Sequence, residues 1–352
     1  MTVTPRKHLV MALAVTSLLV AEVATTVAQP ASSSSVEQLR QDTKAIHALG
    51  ISGVQARVIG PDGRQSVATS GTADLNTVRP VPSDGYFRMA STSKTLVATV
   101  VLQLEAEDRL SLDDTVDHWL PGMVRGNGND GSRITIRQLL QHTSGIRDDL
   151  PGYTTPKEYY QQRHDVHRPR QLVVRAMAHA PDFPPGEGWA YSNTGYVLLG
   201  LIVQKTTGHP AHQEIENRIL RPLGLDQTRW MGTSSALPRP HARGYQLFGP
   251  GSRVDVTDQI PVDHENLSWV TTTRDENRFL RALLAGRLLP ARQLAAMKRT
   301  VPVGHLSPRS VTCAGPVTGD RVSSRSPPIQ VRTTPHPVQN HVPTRHRHGS
   351  SA

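Results

Sequence analysis

The sequence predicts a mixed α/β protein with an inserted helical subdomain. Two short segments of alternating polar and apolar residues lie near the beginning of the chain, a predominantly helical region follows them, and further elements come after that region. A chain of 352 residues can bury a substantial hydrophobic core. No internal repeat is evident, and we expect the main domain to cover residues 36–303.

The first 28 residues have the pattern of a secretory signal peptide. Residues 6–8 are basic, residues 9–21 are apolar, and the small residues 26–28 fit a cleavage site. A transmembrane anchor is the alternative, but the apolar core is too short to span a bilayer comfortably. We therefore expect cleavage near Ala28, no stable membrane insertion and a secreted, extracellular protein.

The charge and the cysteine count exclude several classes of function. The chain carries a net charge of +10, of which +1 lies in the predicted signal, +5 in residues 304–352 and +4 in the body between them. No basic stripe with interleaved aromatic residues occurs, so we expect no nucleic-acid partner. Cys313 is the single cysteine, which excludes an intramolecular disulfide.

The first predicted elements are a helix and a hairpin. After a serine-rich linker at residues 29–35, a helix is predicted from residue 36 to about residue 49. Two alternating segments follow at residues 54–59 and 65–69. The residues between them include Pro61-Asp62-Gly63, which are typical of a turn, so the two segments are predicted to form a β-hairpin.

Two capping-box patterns mark the start of later helices. Thr135 and Gln138 form one before an apolar pair, and Thr273 and Glu276 form the other. The second helix is predicted to stop at Gly286. Its apolar residues are Phe279, Leu280, Leu283 and Leu284.

The composition changes after residue 303. Residues 304–352 contain no Phe, Trp, Tyr, Lys or Glu and are rich in Pro, Ser, Arg, His and Thr. Such a segment cannot bury enough apolar surface to offset the entropy lost on ordering, so we predict that it is disordered. Its histidines, including His346 and His348, are predicted to form a solvated basic end and not a metal site.

A serine and a lysine lie three residues apart before an apolar run. The run after Lys94 predicts a buried helix, on whose first turn the ammonium group of Lys94 lies within reach of the Ser91 hydroxyl. This pair is a nucleophile beside a candidate base, and the helix N-terminus favours an anion that forms there. The spacing alone is also explained by a simple helix N-cap.

A second polar segment precedes the apolar run at residues 197–203. Tyr191 and Asn193 lie two residues apart in a predicted turn, so both side chains can face one cavity. A nearby lysine charge favours the phenolate, which turns tyrosine into a usable base. The alternative is a packed tyrosine and an asparagine cap. His142 and Ser144 lie in a predicted helix-ending turn without a Gly-x-Ser-x-Gly elbow, and we expect them to be structural.

These segments together resemble a known superfamily. The order of Ser91-Thr92-Ser93-Lys94, His142-Thr143-Ser144-Gly145 and Tyr191-Ser192-Asn193 is similar to that of the serine β-lactamases and penicillin-binding proteins. The likeness is greatest to the secreted D-alanyl-D-alanine carboxypeptidases and their class C β-lactamase and esterase relatives. It covers roughly residues 36–303 and implies a β-lactamase/transpeptidase-like fold, in which helices flank an antiparallel sheet and a helical subdomain is inserted.

The resemblance also implies roles for individual residues. Ser91 would be acylated, Lys94 would assist proton transfer, Tyr191 would be the general base and Asn193 would bond Lys94 or the substrate amide. Trp269 would line the substrate cleft, with burial in the core as the alternative. The resemblance implies no metal and no cofactor. The expected partner is a peptidoglycan peptide or a β-lactam-like small molecule, and we expect a monomer.

One motif of the superfamily is missing. A Lys or His, then Thr or Ser, then Gly should lie on an edge strand that binds the substrate carboxylate and supplies an oxyanion N–H. No such motif follows Val303, and Val317-Thr318-Gly319 lacks the cation. We therefore expect the sheet to lack its C-terminal strands and to expose an edge. Loss of one oxyanion donor costs about 100- to 1,000-fold in rate.

The composition of residues 304–352 is typical of GC-rich coding read out of frame. We predict that another reading frame of the gene encodes the missing Lys/His-Thr-Gly segment, and its absence from both other frames would contradict this explanation.

The expected function is that of a serine-type D-Ala-D-Ala carboxypeptidase-like hydrolase with an acyl-enzyme at Ser91. One alternative is an esterase or a β-lactamase of the same fold. The other is a catalytically inactive penicillin- or peptidoglycan-binding remnant, which the missing third motif favours.

Overall fold

The N-terminal part of the described chain is a helix packed on a hairpin. The computed structural model describes residues 32–302 except residues 264, 265 and 267. Helix α1 (Ser32–Ala48) packs against the antiparallel strands β1 (Gly53–Ile59) and β2 (Gln65–Gly71), paired from Gly53 with Gly71 to Ile59 with Gln65. The predicted hairpin is therefore confirmed.

The predicted linker over residues 29–35 needs correction. Helix α1 begins at Ser32, so four of these seven positions are helical. Serine is favoured at helix starts, because its hydroxyl can accept a hydrogen bond from a backbone N–H there. A serine run before a helix therefore does not distinguish a linker from a first turn. The predicted signal peptide, the predicted tail and Val317-Thr318-Gly319 lie outside the described residues.

A short central sheet leads into the helix that follows Ser91. Strand β3 (Phe87–Arg88) runs into a 3₁₀ turn at Ala90–Ser93, and helix α2 (Lys94–Ala106) continues from that turn. Ser91 thus lies in the 3₁₀ turn, just before the first turn of the α-helix in which it was predicted.

The middle of the chain is predominantly helical, as predicted. It contains several helices and two short strands that pair with each other. The last two of these helices are joined without a break by a π-turn. In order these are α3 (Val116–Trp119), β4 (Arg125–Gly126), β5 (Asn129–Asp130), α4 (Ile136–Gln141), α5 (Pro156–Gln162), α6 (Pro169–Met177), α7 (Asn193–Thr207), α8 (Ala211–Ile215), the π-turn Glu216–Leu220 and α9 (Arg221–Leu223).

The chain then returns to the central sheet. The next elements are β6 (Arg229–Trp230), β7 (Tyr245–Leu247), β8 (Arg253–Asp255), β9 (Trp269–Thr271), α10 (Thr273–Leu284) and α11 (Ala291–Met297). Strand β9 is the middle strand of a three-stranded antiparallel sheet, with β3 on one side and β6 on the other, while β7 pairs with β8.

One of the two capping boxes is confirmed, and in place of the other there is a simple N-cap one residue earlier. Thr135 Oγ1 accepts from the Gln138 N–H at 3.2 Å, and Gln138 Oε1 accepts from the Thr135 N–H at 3.0 Å. Helix α10 is instead capped by Thr272, which accepts from the Asp275 N–H. Three threonines stand in a row at residues 271–273, so the sequence pattern alone does not fix which one is the cap.

The core surrounds α2 and α7, which contact each other. Both helices are apolar on several faces, as expected for helices enclosed by other elements. Burial of each large apolar side chain contributes about 1.5–3 kcal/mol. Fully buried members from these two helices include Leu96, Val100, Leu104, Val197, Leu198 and Ile202.

The strands of the described residues form small sheets that are not joined to one another. Among the described residues, β1 pairs with β2 alone, and the hairpin and the three-stranded sheet remain separate. The expected lack of C-terminal strands concerns residues after 302, which lie outside the described residues, so it stays a prediction. In the described part of the chain, no helix has the length and apolar character needed to cross a membrane.

Candidate active site

The turn at Ser91 is held by its neighbours. Ala90 has φ +47°, a left-handed conformation that is strained for a residue with a Cβ. Thr92 Oγ1 donates to the Met89 carbonyl at 2.7 Å, and Ser93 Oγ donates to the Ala90 carbonyl at 2.6 Å. These bonds fix the 3₁₀ turn and leave the Ser91 side chain exposed at the surface.

Lys94 lies beside Ser91. Its Nζ lies 3.3 Å from Ser91 Oγ and 2.7 Å from Asn193 Oδ1. Lys94 is only 7% exposed. Its ammonium nitrogen lies 5.1 Å from the centroid of the Tyr191 ring and 5.4 Å from that of the Tyr196 ring. Among the described residues no carboxylate forms an ion pair with it, so oxygen atoms and aromatic rings balance its charge.

Tyr191 also contacts the Ser91 hydroxyl. Its hydroxyl donates to Ser91 Oγ at 2.7 Å, and the residue is 38% exposed. The Ser91 hydroxyl therefore has two groups within proton-transfer reach, a phenol and an amine. Ser91 and Tyr191 are 100 positions apart in the chain, and the fold brings them together.

His142 supports the turn that carries Tyr191. It caps the C-terminal end of α4 in a left-handed conformation, with φ +61°. Its Nδ1 accepts from the Ser192 N–H at 3.2 Å, and its ring lies 4.5 Å from the Tyr191 ring. Burial, and secondarily the charge of Lys94, lower its pKa to about 4, so the imidazole is neutral at pH 7 and can act as an acceptor.

Asn193 is the first residue of α7, and both ends of its amide are bound. Its Oδ1 accepts from Lys94, and its Nδ2 donates to Asp148 Oδ2 at 2.8 Å. The resemblance implies that Asn193 bonds either Lys94 or the substrate amide, and the bond to Lys94 is present in the structure. Asp148 also accepts the Asn193 backbone N–H at 2.9 Å. The sequence reasoning missed Asp148, although a carboxylate at a helix N-terminus is a common stabilising pattern.

Trp269 does not line an open cleft, which corrects the expectation for this residue. Its side chain is 0% exposed and belongs to the hydrophobic core. The residue lies on β9, which has a strand on each side, and its ring therefore packs inside the domain. Core burial, the alternative stated for Trp269, describes its position.

Two concave features of the surface lie away from Ser91. A cavity of about 470 Å³ is lined by residues that include Asp165, His167 and Arg175, and one of about 690 Å³ lies beside α7 near Gly200. Neither is lined by Ser91, Lys94 or Tyr191. We place the chemistry at Ser91 because the hydrogen-bonded groups are there. Within the described residues, no cluster of three or more His, Cys, Asp or Glu could hold a metal ion.

Residues 36–312 match the family described as Beta-lactamase. Among solved structures, the chain is similar to a D-stereospecific amidohydrolase from Streptomyces sp., with 40% sequence identity and a TM-score of 0.70. The match covers 76% of this chain and 78% of that one.

Among curated proteins, Penicillin-binding protein 4* of Bacillus subtilis (strain 168) is 35% identical over 161 residues, which cover 45% of this chain and 34% of that protein. Esterase EstB of Burkholderia gladioli is 36% identical over 200 residues, which cover 54% of this chain and 49% of that protein. The matched segments therefore span between a third and a half of the length of these two relatives.

Proposed function

The chain belongs to the Beta-lactamase family, and from this premise we propose that it is a serine hydrolase that works through an acyl-enzyme on Ser91. The observation that carries the proposal is the position of the Ser91 hydroxyl, 2.7 Å from the Tyr191 oxygen and 3.3 Å from the Lys94 nitrogen. A nucleophile with a base in hydrogen-bond reach is the minimum apparatus for covalent acyl transfer.

The reaction has two halves. Ser91 Oγ bonds to the substrate carbonyl carbon while its proton passes to the Tyr191 oxygen, the nearer acceptor. Tyr191 must be ionised at that moment, and the positive charge of Lys94 attracts the negative charge on its oxygen. The proton then leaves with the amine as the bond between carbonyl carbon and nitrogen breaks. Water attacks the resulting ester and releases the acid, which regenerates the Ser91 hydroxyl.

We propose that the scissile bond is an amide next to a D-amino acid, as in a D-Ala-D-Ala peptide of peptidoglycan. Two similarities support this substrate class. The Streptomyces protein is a D-stereospecific amidohydrolase at 40% identity, and the Bacillus relative is a penicillin-binding protein. D-Ala-D-Ala carboxypeptidase activity is the specific form that the sequence predicts.

This substrate class is tested with stereochemical pairs. The purified full chain is incubated with an acylated tripeptide ending in D-Ala-D-Ala, with D-phenylalanine amide and with the corresponding L-compounds, and the released amine or D-alanine is measured. Turnover of the D-compounds, lost in Ser91→Ala, is the expected result. Equal turnover of D- and L-compounds would contradict the proposed stereochemistry.

Esterase activity is the second candidate, and a specific observation favours it. The Lys/His-Thr/Ser-Gly motif that would anchor a substrate carboxylate is missing after Val303, and a small ester needs no such anchor. The similarity to Esterase EstB points the same way. Hydrolysis of p-nitrophenyl acetate without release of D-alanine would favour the esterase.

The third possibility, a penicillin- or peptidoglycan-binding remnant, has its own signature. The protein is incubated with penicillin and its mass is then measured. A persistent adduct at Ser91 would imply that the first half of the reaction is intact, whereas no labelling of a protein that is folded by circular dichroism would point to the remnant.

We also propose that the protein is exported, because the expected peptidoglycan partner lies outside the cell membrane and residues 1–28 have the pattern of a signal peptide. Expression of the full gene followed by analysis of the culture medium tests this. A mature chain beginning near Gln29 is expected there, whereas uncleaved protein retained in the cells would contradict export.

A further inference from the structure

Asp148 occupies a position that connects the start of α7 with the catalytic cluster. Its Oδ1 accepts the backbone N–H of Asn193 at 2.9 Å, and its Oδ2 accepts the side-chain Nδ2 of the same residue at 2.8 Å. The opposite end of that amide, Oδ1, accepts from Lys94 at 2.7 Å. Asp148 is therefore one side chain away from the ammonium group that serves Ser91.

The amide of Asn193 must have one particular orientation for this chain of bonds to exist. A lysine ammonium can only donate and an ionised carboxylate can only accept, whereas a carboxamide has one end of each kind. With Asp148 bound to Nδ2, the Oδ1 atom faces Lys94. The flipped amide would place N–H groups against the ammonium and oxygen against the carboxylate, which replaces two charge-assisted hydrogen bonds with two repulsions.

The loop that carries Asp148 holds the whole turn that precedes α7. The His142 carbonyl accepts from the Ala190 N–H at 3.1 Å, His142 Nδ1 accepts from the Ser192 N–H at 3.2 Å, and Asp148 accepts from the Asn193 N–H. Three backbone donors around Tyr191 thus end on residues 142–148. Within this set, Asp148 alone also forms a hydrogen bond to a side chain that is itself hydrogen-bonded to Lys94.

We propose that Asp148 is a positioning residue for catalysis, which orients the Asn193 amide so that its oxygen holds Lys94 beside Ser91. The proposal rests on the proposed function of Ser91 as an acylated nucleophile. Asp148 does not touch the substrate, and its effect passes through Asn193.

The adjacent carboxylate offers a matched control. Asp149 accepts from Arg175 and lies 3.1 Å from His179 Nε2, and none of its recorded partners belongs to the catalytic cluster. Substitution of Asp149 therefore removes a carboxylate from the same loop without changing the partners of Asn193.

The test is a double-mutant cycle on the full chain with p-nitrophenyl acetate as the probe. The rate of acyl-enzyme formation is measured for the wild type, Asp148→Ala, Asn193→Ala, the double variant and Asp149→Ala. Because a small displacement of a catalytic group can cost about 100-fold, we expect Asp148→Ala to slow acylation by about 10- to 100-fold. In the Asn193→Ala background the same substitution should cost almost nothing, and Asp149→Ala should resemble the wild type.

Two results would overturn the proposal. One is an Asp148→Ala variant that acylates at the wild-type rate. The other is an equal loss from Asp148→Ala in the presence and absence of the Asn193 amide, which is the behaviour of a residue that only stabilises the helix. If Asp148→Ala fails to fold, Asp148→Leu takes its place in the cycle, because it keeps much of the side-chain bulk and removes both acceptor oxygens.

A measurement independent of turnover separates this proposal from the proposed function. The Asn193 side-chain amide is followed by NMR in the wild type and in Asp148→Ala or Asp148→Leu. Slow exchange of its N–H₂ protons in the wild type, lost in the variant, supports the orienting role. Unchanged exchange overturns it. Failure of the wild type to acylate at all counts against the function of Ser91, and the NMR result then decides the role of Asp148.

Discussion

Lys94 is a nearly buried cation whose surroundings determine what happens at Ser91. Asn193 Oδ1 and two tyrosine rings lie around its ammonium group, and water is largely excluded from it. Electrostatic interactions are stronger in such a site than in water, because the local dielectric constant is lower. Single atoms of the neighbouring side chains should therefore have large effects on the rate of reaction at Ser91, and substitutions can measure these effects.

Removal of the Tyr191 hydroxyl tests the base. Tyr191→Phe keeps the ring that packs against His142 and deletes the oxygen 2.7 Å from Ser91 Oγ. We expect the acylation rate to fall by about 100-fold or more, the usual contribution of a positioned general base, with little change in melting temperature. The rate of p-nitrophenyl acetate acylation measures it.

Tyr160→Phe is the matched control, because it removes a hydroxyl from an exposed tyrosine on α5. It should leave the rate unchanged. Equal rates for Tyr191→Phe and the wild type would exclude Tyr191 as the base and leave Lys94 as the acceptor of the proton.

His142 makes the stability of the fold depend on pH. Its pKa is about 4 in the folded protein, below the ordinary value of 6.5, so the unfolded chain binds a proton more readily. The stabilisation of the folded state by the neutral imidazole is complete above about pH 6.5 and is lost as the pH falls towards 4. The free energy of unfolding should therefore be lower by about 2 kcal/mol at pH 5. Urea unfolding at pH 7 and pH 5 measures the loss.

The comparison protein for this measurement is His142→Gln, which keeps an acceptor but does not titrate. It should lose less free energy of unfolding than the wild type over the same pH interval. A parallel loss in both proteins would assign the pH dependence to other groups among the 16 histidines and the carboxylates.

At the scale of secondary structure, the site depends on helices whose positions are fixed by packing. Lys94 is the first residue of α2, Ser91 lies in the 3₁₀ turn before it, and Asn193 is the first residue of α7. The contact between the two helices therefore sets the distance from Lys94 to Asn193. Each helix is enclosed along most of its length. Stability of the core and geometry of the site are therefore linked.

A pair of identical substitutions on two helices separates buried from exposed positions. Leu104 on α2 is 0% exposed, whereas Leu280 on α10 is 41% exposed. Leu104→Ala should lower the free energy of unfolding by about 2–5 kcal/mol, because it removes apolar contacts and leaves a cavity. Leu280→Ala should cost less than about 1 kcal/mol. Urea denaturation measures both, and similar losses would contradict the assignment of the core to α2.

At the scale of the whole molecule, polar contacts connect the hairpin to α10 and to the loop before β3. Arg57 on β1 pairs with Asp84, which also pairs with Arg274 at 2.8 Å, and the Asn277 amide donates to the Arg57 carbonyl. Partly exposed ion pairs contribute little to stability. Most of the stability should therefore come from the helical core around α2 and α7.

Removal of residues 316–352 tests whether this core is sufficient. The segment contains no Leu, Met, Phe, Trp or Tyr, so it offers little apolar surface to bury. We expect the shortened chain to melt within about 2 °C of the full chain and to acylate at the same rate. A markedly lower melting temperature would show that residues 316–352 contribute to the stability of the folded domain.

The features predicted correctly from the sequence are mostly local. The hairpin follows from alternation and turn residues, and the Thr135 capping box from four consecutive positions. Two of the errors are also local, because they concern ambiguity between neighbouring serines or threonines. The start of α1 at Ser32 and the cap of α10 at Thr272 are examples. Propensity alone does not resolve such choices, since several adjacent residues can satisfy the same backbone N–H group.

The sequence by itself determined which chemical groups are present, that buried helices follow Ser91 and Tyr191, and in what order the motif residues follow one another. Only the tertiary structure decided that Tyr191 and Asn193 meet Ser91 and Lys94, that Asp148 orients Asn193, and that Trp269 is enclosed in the core. The reason is physical. Helix periodicity and capping act over a few residues, whereas these contacts join side chains about 45 to 100 positions apart and depend on how whole helices pack.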